Sequence, residues 1–362
     1  MLYRPFGTTG KNVSTISFGG MRFTEPENFE KNSDLILYAH EKGINYFDTA
    51  PIYCEDRSEN IFGHALRQLP RESFIVSTKG SHAKGDDLRK TLERSLTRLG
   101  VDQIDFFYIW HLMNPQDWEN RKQLGAVEAA LKAKEEGLIG HLLCSSHMEG
   151  EAIAEVLKER IFEGILLGYN AINFPYRQQA VVQAGQQKLG VVTMNPLGGG
   201  LIPQNAEKFA FLKSETADNV VSAALQFNLS HPAISTVLVG FENRDEIDQA
   251  VAAVKNFTPI SSKQQKNVES NLKTAFSDLC TGCGYCLPCP VDIPIPKYLD
   301  SYNQLILTDG DKQAVLDHYR FHWDITPQQA KECISCGDCE ERCTQHLPII
   351  QRLAELPLQA SE

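Results

Sequence analysis

Eight short apolar runs alternate with eight amphipathic stretches from Ser14 to about Val254, and this pattern predicts an α/β fold, a (β/α)8 TIM barrel. A second observation predicts a small, mainly helical domain after the barrel. Beyond Phe257 the alternation stops, and eight of the ten cysteines follow. The expected division is 1–256 for the barrel and 257–362 for a linker helix with the cysteine-rich domain.

The apolar runs are "TISFGG", "INYFDTA", "FIVSTK", "IDFFYIW", "GHLLCSS", "GILLGYN", "GVVTMNP" and "STVLVG". Each is short, rich in Val, Ile, Phe and Tyr, and not strictly alternating, as suits strands buried on both faces of a parallel sheet. Helical patterns fall at 34–42, 59–68, 86–98, 121–136, 151–159, 176–189, 217–229 and 244–254. In "DDLRKTLERSLTRLG", Leu88, Leu92, Leu96 and Leu99 form one stripe, and Gly100 is a natural stop. A doubly wound open sheet is the competing arrangement, but no G-x-G-x-x-G opens a first helix. "YRPFGTTGKNVS", with two glycine-containing turns, predicts a hairpin that plugs the barrel floor. In the C-terminal part, "NFTPISSKQQKNVESNLKTAFSD" reads as a loop and one polar helix, and "YLDSYNQLILTD" and "DKQAVLDHYRFHW" also read as helical.

Composition narrows the partners. A formal net charge of -11 argues against nucleic acid or an anionic membrane. No apolar run approaches the roughly eighteen residues of a membrane span, and "MLYRPFGTTGKNVS" lacks a signal-peptide core. A cytoplasmic location is the expectation, and the acidic surface suits a monomer or weak dimer. Cys280, Cys283, Cys286 and Cys289, then Cys333, Cys336, Cys339 and Cys343, form two tight runs, with only Cys54 and Cys144 outside. Clustered cysteines in such a chain read as metal ligands rather than a disulfide scaffold, and the two outliers as small buried hydrophobes.

Barrel enzymes carry their chemistry at the C-terminal ends of the strands. Asp48 ends the second strand, Lys79 the third and His111 the fourth, and Tyr53 lies in the second loop. This set suits carbonyl reduction. Hydride arriving at a carbonyl carbon leaves an alkoxide that needs a proton, and a tyrosine hydroxyl can supply it if its phenolate is stabilised by a nearby ammonium. Asp48 would hold Lys79, and His111 would orient the carbonyl oxygen. A barrel ion pair and a core imidazole are the competing structural roles for these residues.

"FDTAPIYCEDRSENIFGHAL", "STKG", "IWH", "YNAIN" and "NPLGGG" together resemble the aldo/keto reductase family over nearly all of residues 1–255. The resemblance implies Tyr53 as acid/base, Lys79 and Asp48 as its tuning pair, and His111 as the group that orients the substrate. It also implies a nicotinamide cofactor, NAD(H) or NADP(H), and a small carbonyl or alcohol substrate. The family's Ser-Asn pair after the fifth strand is here Ser145-Ser146-His147; Leu166 stands where its Gln is usual, and Met194 where an aromatic is. Ser145, Ser146 and Asn170 are the implied carboxamide contacts. Gly19, Gly20, Pro196, Leu197, Gly240, Glu242, Arg244 and Glu246 are the other implied cofactor positions. Glu242 occupies a place where the family often puts a basic residue against the 2′-phosphate of NADP. A carboxylate there disfavours the phosphate, although Arg244 lies close, so the expectation is no strong preference for NADPH. Substrate choice in such barrels comes from loops after the strands, including "HLMNPQDWENR" with Trp118.

"CTGCGYCLPCP" has the spacing by which three thiolates wrap one corner of an iron–sulfur cubane while a distant fourth completes the set. In two-cluster ferredoxins the fourth ligand comes from the other motif. Here that gives two [4Fe-4S] clusters, one on Cys280, Cys283, Cys286 and Cys343, the other on Cys333, Cys336, Cys339 and Cys289. Each motif closing its own site is the alternative. Two departures stand out. Cys286 and Cys289 are separated by two residues where three is usual, and Thr344 replaces the second proline. Structural zinc fits two runs of four close cysteines poorly. Over its whole length the chain resembles aldo/keto reductases with a ferredoxin-like C-terminal extension. Three functions are open at this point: hydride chemistry coupled to electron transfer with a redox partner protein, a plain carbonyl reductase stapled by its clusters, or a non-catalytic electron-transfer or docking protein.

Overall fold

The computed structural model describes residues 1–356 apart from 149, 172–173, 256, 276–278, 281–283, 308–309, 318, 320–324 and 344. It divides into two compact units, Met1–Leu197 with Phe209–Val268, and Gly198–Lys208 with Glu269–Glu362.

The first unit begins with an antiparallel hairpin of β1 (Tyr3–Pro5) and β2 (Asn12–Ser14). A closed parallel barrel follows, of β3 (Ile16–Gly19), β4 (Tyr46–Asp48), β5 (Ile75–Gly80), β6 (Ile104–Leu112), β7 (Ile139–Ser146), β8 (Gly164–Gly168), β9 (Gly190–Met194) and β10 (Thr236–Val239). Every strand pairs with its sequence neighbour, and β10 closes the ring on β3. All eight predicted strands are present in the predicted order. Their continuous apolar character has the expected cause: the residues of β3, β4 and β5 are all buried, between the barrel interior and the surrounding helices.

The hairpin does plug the floor. Phe6, fully buried, packs into a cluster with Val13, Tyr46, Ile75, Phe106, Tyr108, Leu143, Leu166 and Val192, and its ring stacks on Phe106 at 4.3 Å. One predicted helix is different. The stretch 121–136 is two helices, Pro115–Gln123 and Ala126–Glu135, divided at Gly125 with φ 86°. Asn114 caps the first by accepting from Asp117 N, and Pro115 sits at its first position, so the helix starts earlier than its weak apolar pattern suggests. Trp118, placed by sequence in a substrate loop, is buried in this helix against Phe162, and its indole N–H donates to Glu159 at 2.6 Å.

In the second unit, helices Ile295–Leu307, Lys312–Asp317 and Ile349–Glu355 surround a core that includes Tyr298, Leu299, Tyr319, Leu353 and four cysteines, Cys280, Cys286, Cys339 and Cys343. The polar helix expected before the first cysteine run is Ser262–Ala275.

Candidate active site and cysteine centre

Along a strand, side chains alternate between faces. Tyr46, Ile75, Phe106, Tyr108 and Leu143 belong to the interior cluster, so Asp48, Ser77, Lys79, Trp110 and Ser145 point inward as well, toward the C-terminal end. This parity brings Asp48 and Lys79 together. Both are fully buried, and Lys79 Nζ donates to Asp48 Oδ1 and, at 2.7 Å, to the Thr49 carbonyl. Ser77 Oγ donates to the other Asp48 oxygen at 2.6 Å. Burial pulls the pKa of Lys79 down, while Asp48 and Glu59 oppose that shift. The Tyr53 ring centroid lies 5.0 Å from Lys79 Nζ, and its edge meets Trp110 at 5.7 Å.

His111 reaches the same rim through a local irregularity. The β6–β7 register shifts between Ile109 and Leu112, and His111 has φ 68°. A non-glycine residue in left-handed backbone at a strand end is strained and turns its side chain away from the regular alternation. Its imidazole lies edge to face with Trp110 at 5.7 Å and with His147 at 5.9 Å. Burial, then Arg121, holds the His111 pKa below its ordinary value, against a smaller pull from Asp117. Buried His147 is pushed well below the ordinary range by burial, His111 and Arg177. The shift favours the neutral imidazole of His111, which keeps one N–H to donate.

The implied nicotinamide positions divide into two groups. Ser145 is fully buried, and its hydroxyl makes no hydrogen bond among the described residues. Asn170, also buried, donates to the Asn195 carbonyl at 2.8 Å and so ties the loop after β8 to the loop after β9, beside Pro196 and Leu197. Ser146 instead donates to the Leu112 carbonyl at 3.1 Å. Leu166 packs in the interior cluster and brings no amide. Gly20 is glycine for packing reasons, since a Cβ there would lie 2.3 Å from the Phe62 ring. At Gly19 and Gly240 a Cβ would crowd Leu238 and Arg22 respectively. Glu246 serves helix Arg244–Lys255: it accepts from Glu242 N at 2.9 Å while Asn243 Oδ1 caps the helix by accepting from Glu246 N. Arg244 stacks over the Tyr38 ring at 4.7 Å, and Glu242 is left exposed.

Sequence reasoning missed the residues that fix the Tyr53 loop. Cys54, Glu55 and Asp56 all have positive φ, a left-handed turn directly after Tyr53. Arg98 clamps it with two 2.7 Å hydrogen bonds to Asp56 and also reaches Glu59, whose other oxygen accepts from Thr78 beside Lys79. Arg98 lies in helix Gly85–Leu99, far from the motif in sequence, and no local pattern marks it. The Cys54 thiol donates to the Gly20 carbonyl at 3.4 Å, and burial pushes it and Cys144 up. A cavity of about 690 Å³ lies at the opposite end of the strands, around Asp105. Lys11 and Arg71 already pair with that carboxylate at 3.1 and 2.7 Å, and Val76 N donates to it. This cavity is remote from the tetrad.

In the second unit one recess is lined by Cys289 from the first cysteine run together with Cys333, Cys336 and Cys339 from the second, and Cys286 also reaches it. Burial pushes the Cys339 thiol up to about 11, with Glu340, Cys333 and Cys336 adding to the shift. Thiols are soft donors that suit iron and sulfur, although among the described residues no three of them are drawn together as a ready-made metal site. Cys280 is held by buried Asn303, which accepts from Cys280 N at 2.8 Å and donates to its carbonyl at 2.7 Å. Cys343 Sγ accepts from Leu347 N at 3.4 Å. Cys283 and Thr344 lie outside the described residues. No helix of the described residues is long and apolar enough to cross a membrane.

Comparison with known proteins agrees with both units. Residues 279–347 match the 4Fe-4S dicluster domain, which sets the zinc alternative aside. L-galactose dehydrogenase of Arabidopsis thaliana is 26% identical over 295 residues, 72% of this chain and 91% of its own. NADH-specific methylglyoxal reductase of Escherichia coli is 28% identical over 224 residues, 55% of this chain and 68% of its own. Among solved structures, the holo form of an aldo-keto reductase from Bacillus halodurans superposes with a TM-score of 0.65 at 24% identity, covering 76% of this chain and 98% of that one, a likeness of fold. The aldo/keto reductase family profile matches residues 15–273, and the chain is a member of that family.

Proposed function

We propose that the barrel, residues 1–256, interconverts a small carbonyl compound and its alcohol, and that the domain at 257–362 holds two [4Fe-4S] clusters that exchange electrons with a partner protein. The observation that carries the first part is the meeting of three strand ends and one loop. The Lys79 ammonium sits on Asp48 with the Tyr53 ring 5.0 Å away. A bound nicotinamide supplies or accepts a hydride, and bound iron–sulfur clusters exchange single electrons. Tyr53 gives its hydroxyl proton to the oxygen of the reduced carbonyl, and Lys79 stabilises the phenolate left behind. Neutral His111 donates an N–H to the carbonyl oxygen and orients it, while Trp110 keeps water from one side of the Tyr53 ring. Ser145 and Asn170 would hold the carboxamide. Exposed Glu242, with Arg244 drawn to Tyr38, favours a free ribose hydroxyl over a 2′-phosphate, so NADPH has no strong advantage.

The test uses methylglyoxal as probe carbonyl and follows nicotinamide oxidation in the loaded protein. Tyr53→Phe is expected to lower turnover by about 10²–10⁴ without changing the dissociation constant for NADH. A variant as active as the parent would remove Tyr53 from the mechanism. In the same titrations a hundredfold tighter binding of NADPH than NADH would overturn the cofactor reading.

A second reading is favoured by one observation. Four cysteines belong to the core of the second unit, so the clusters also staple that unit. Electron exchange and stapling part company when reduced clusters are offered an acceptor: only the first reading gives reoxidation at a rate set by the acceptor.

A further inference from the structure

We infer that electrons enter and leave the second unit through the face carrying Cys336 and Ile334, and that this face fits a basic one-electron carrier protein. The inference rests on the proposal above that two clusters transfer electrons.

The two expected ligand sets differ in exposure. Among their described members, Cys280, Cys286 and Cys343 are all buried. In the other set only Cys339 is buried; Cys289 and Cys333 are half-buried, and Cys336 is exposed. Electron transfer between proteins weakens steeply with distance, so the set that reaches the surface is the one a partner can approach. A large apolar side chain marks the same place. Ile334 is 60% exposed and lines the recess of Cys289, Cys333, Cys336 and Cys339. An apolar group left in water beside ligand positions is what a docking partner covers. One such side chain makes a small centre, which suits the brief, low-area contacts of redox encounters, below about 1,200 Å².

Charge identifies the partner's chemistry. Glu332 and Glu341 are exposed and Asp338 lines the recess, against Lys331 and Arg342, and the whole chain is at -11. The acidic majority attracts a basic face and repels an acidic carrier. The step itself balances simply. One electron leaves a reduced cluster and enters the partner's oxidised centre, with no bond made or broken and no proton moved.

The experiment reduces the full-length, cluster-loaded protein with dithionite, removes the reductant, and mixes it with cytochrome c, a basic haem protein in its ferric form. The second-order rate is expected to fall at least about tenfold between low and physiological salt, as screening removes the attraction. At low salt, Ile334→Ser is expected to slow it several-fold and the pair Glu332→Lys and Glu341→Lys about tenfold, with the visible absorbance of the clusters unchanged. Carbodiimide cross-linking to redox-inert zinc-substituted cytochrome c reads docking apart from turnover, and its links are expected at Glu332, Asp338 and Glu341. Links confined to another face, or rates indifferent to these substitutions, would overturn the inference while leaving electron transfer intact. Absorbance near 400 nm that dithionite cannot bleach would overturn the electron-transfer reading itself, and the inference with it.

Discussion

At the scale of single residues, His111 joins strain to charge state. Its left-handed backbone sets the ring among Trp110, His147 and the fields of Arg121 and Asp117. Burial and Arg121 hold its pKa below 6.5, so the unfolded chain takes up this proton first as pH falls. The group's share of stability is complete above pH 6.5 and is lost as pH drops through the folded value. The same shift places the acid limb of kcat/KM for methylglyoxal below pH 6.5, and a pH–rate profile checks it. Activity that instead rises as pH falls through this range would mean that the imidazole works charged. Asp48, Lys79 and His111 were legible in the sequence because each closes an apolar run, and a strand end has only one rim to face. Arg98 and Asp56 were not, because their meeting depends on how two helices pack. Ser145 was legible by position, but its lack of an internal partner was not, since that depends on what surrounds it.

Among the elements, the N-terminal hairpin shows how local pattern and tertiary packing share the work. Its turns are visible as glycines in "FGTTGK", whereas the depth of Phe6 under the strands is a property of the closed barrel. Phe6→Ala removes a fully buried ring that stacks on Phe106, and is expected to cost about 3–5 kcal/mol. Denaturant unfolding of the barrel checks this, and a loss below about 1 kcal/mol would mean that the floor recloses around the gap. The helix broken at Gly125 was read as continuous because "ENRKQLGAVEAALKAKE" is helix-forming on both sides of the glycine. The break follows from Gly85 N bonding to the Leu124 carbonyl and Ala126 N to the Ala83 carbonyl, contacts with a distant loop.

For the molecule as a whole, the cysteine spacing was the most legible feature, and it gave a chemistry to a region whose pattern alone reads only as a few helices and loops. The gathering of Cys289 with the later run follows from the fold of the intervening residues, which spacing cannot encode. Because four cysteines sit in the core of the second unit, removing iron with a chelator is expected to abolish that unit's cooperative melting while leaving the barrel's transition in place. Calorimetry before and after chelation checks this; two unchanged transitions would show that the cysteines need no metal to pack.

The ring of strands closes where β10 meets β3, and Arg4 fastens the same join by donating to the carbonyls of Leu229 and Ile234 at 2.8 and 2.7 Å. The first strand of the barrel in sequence therefore bonds along one of its sides to the last. Until some 240 residues have been synthesised, β3 offers a bare edge, and the nascent chain has the most to gain from a chaperone during that interval.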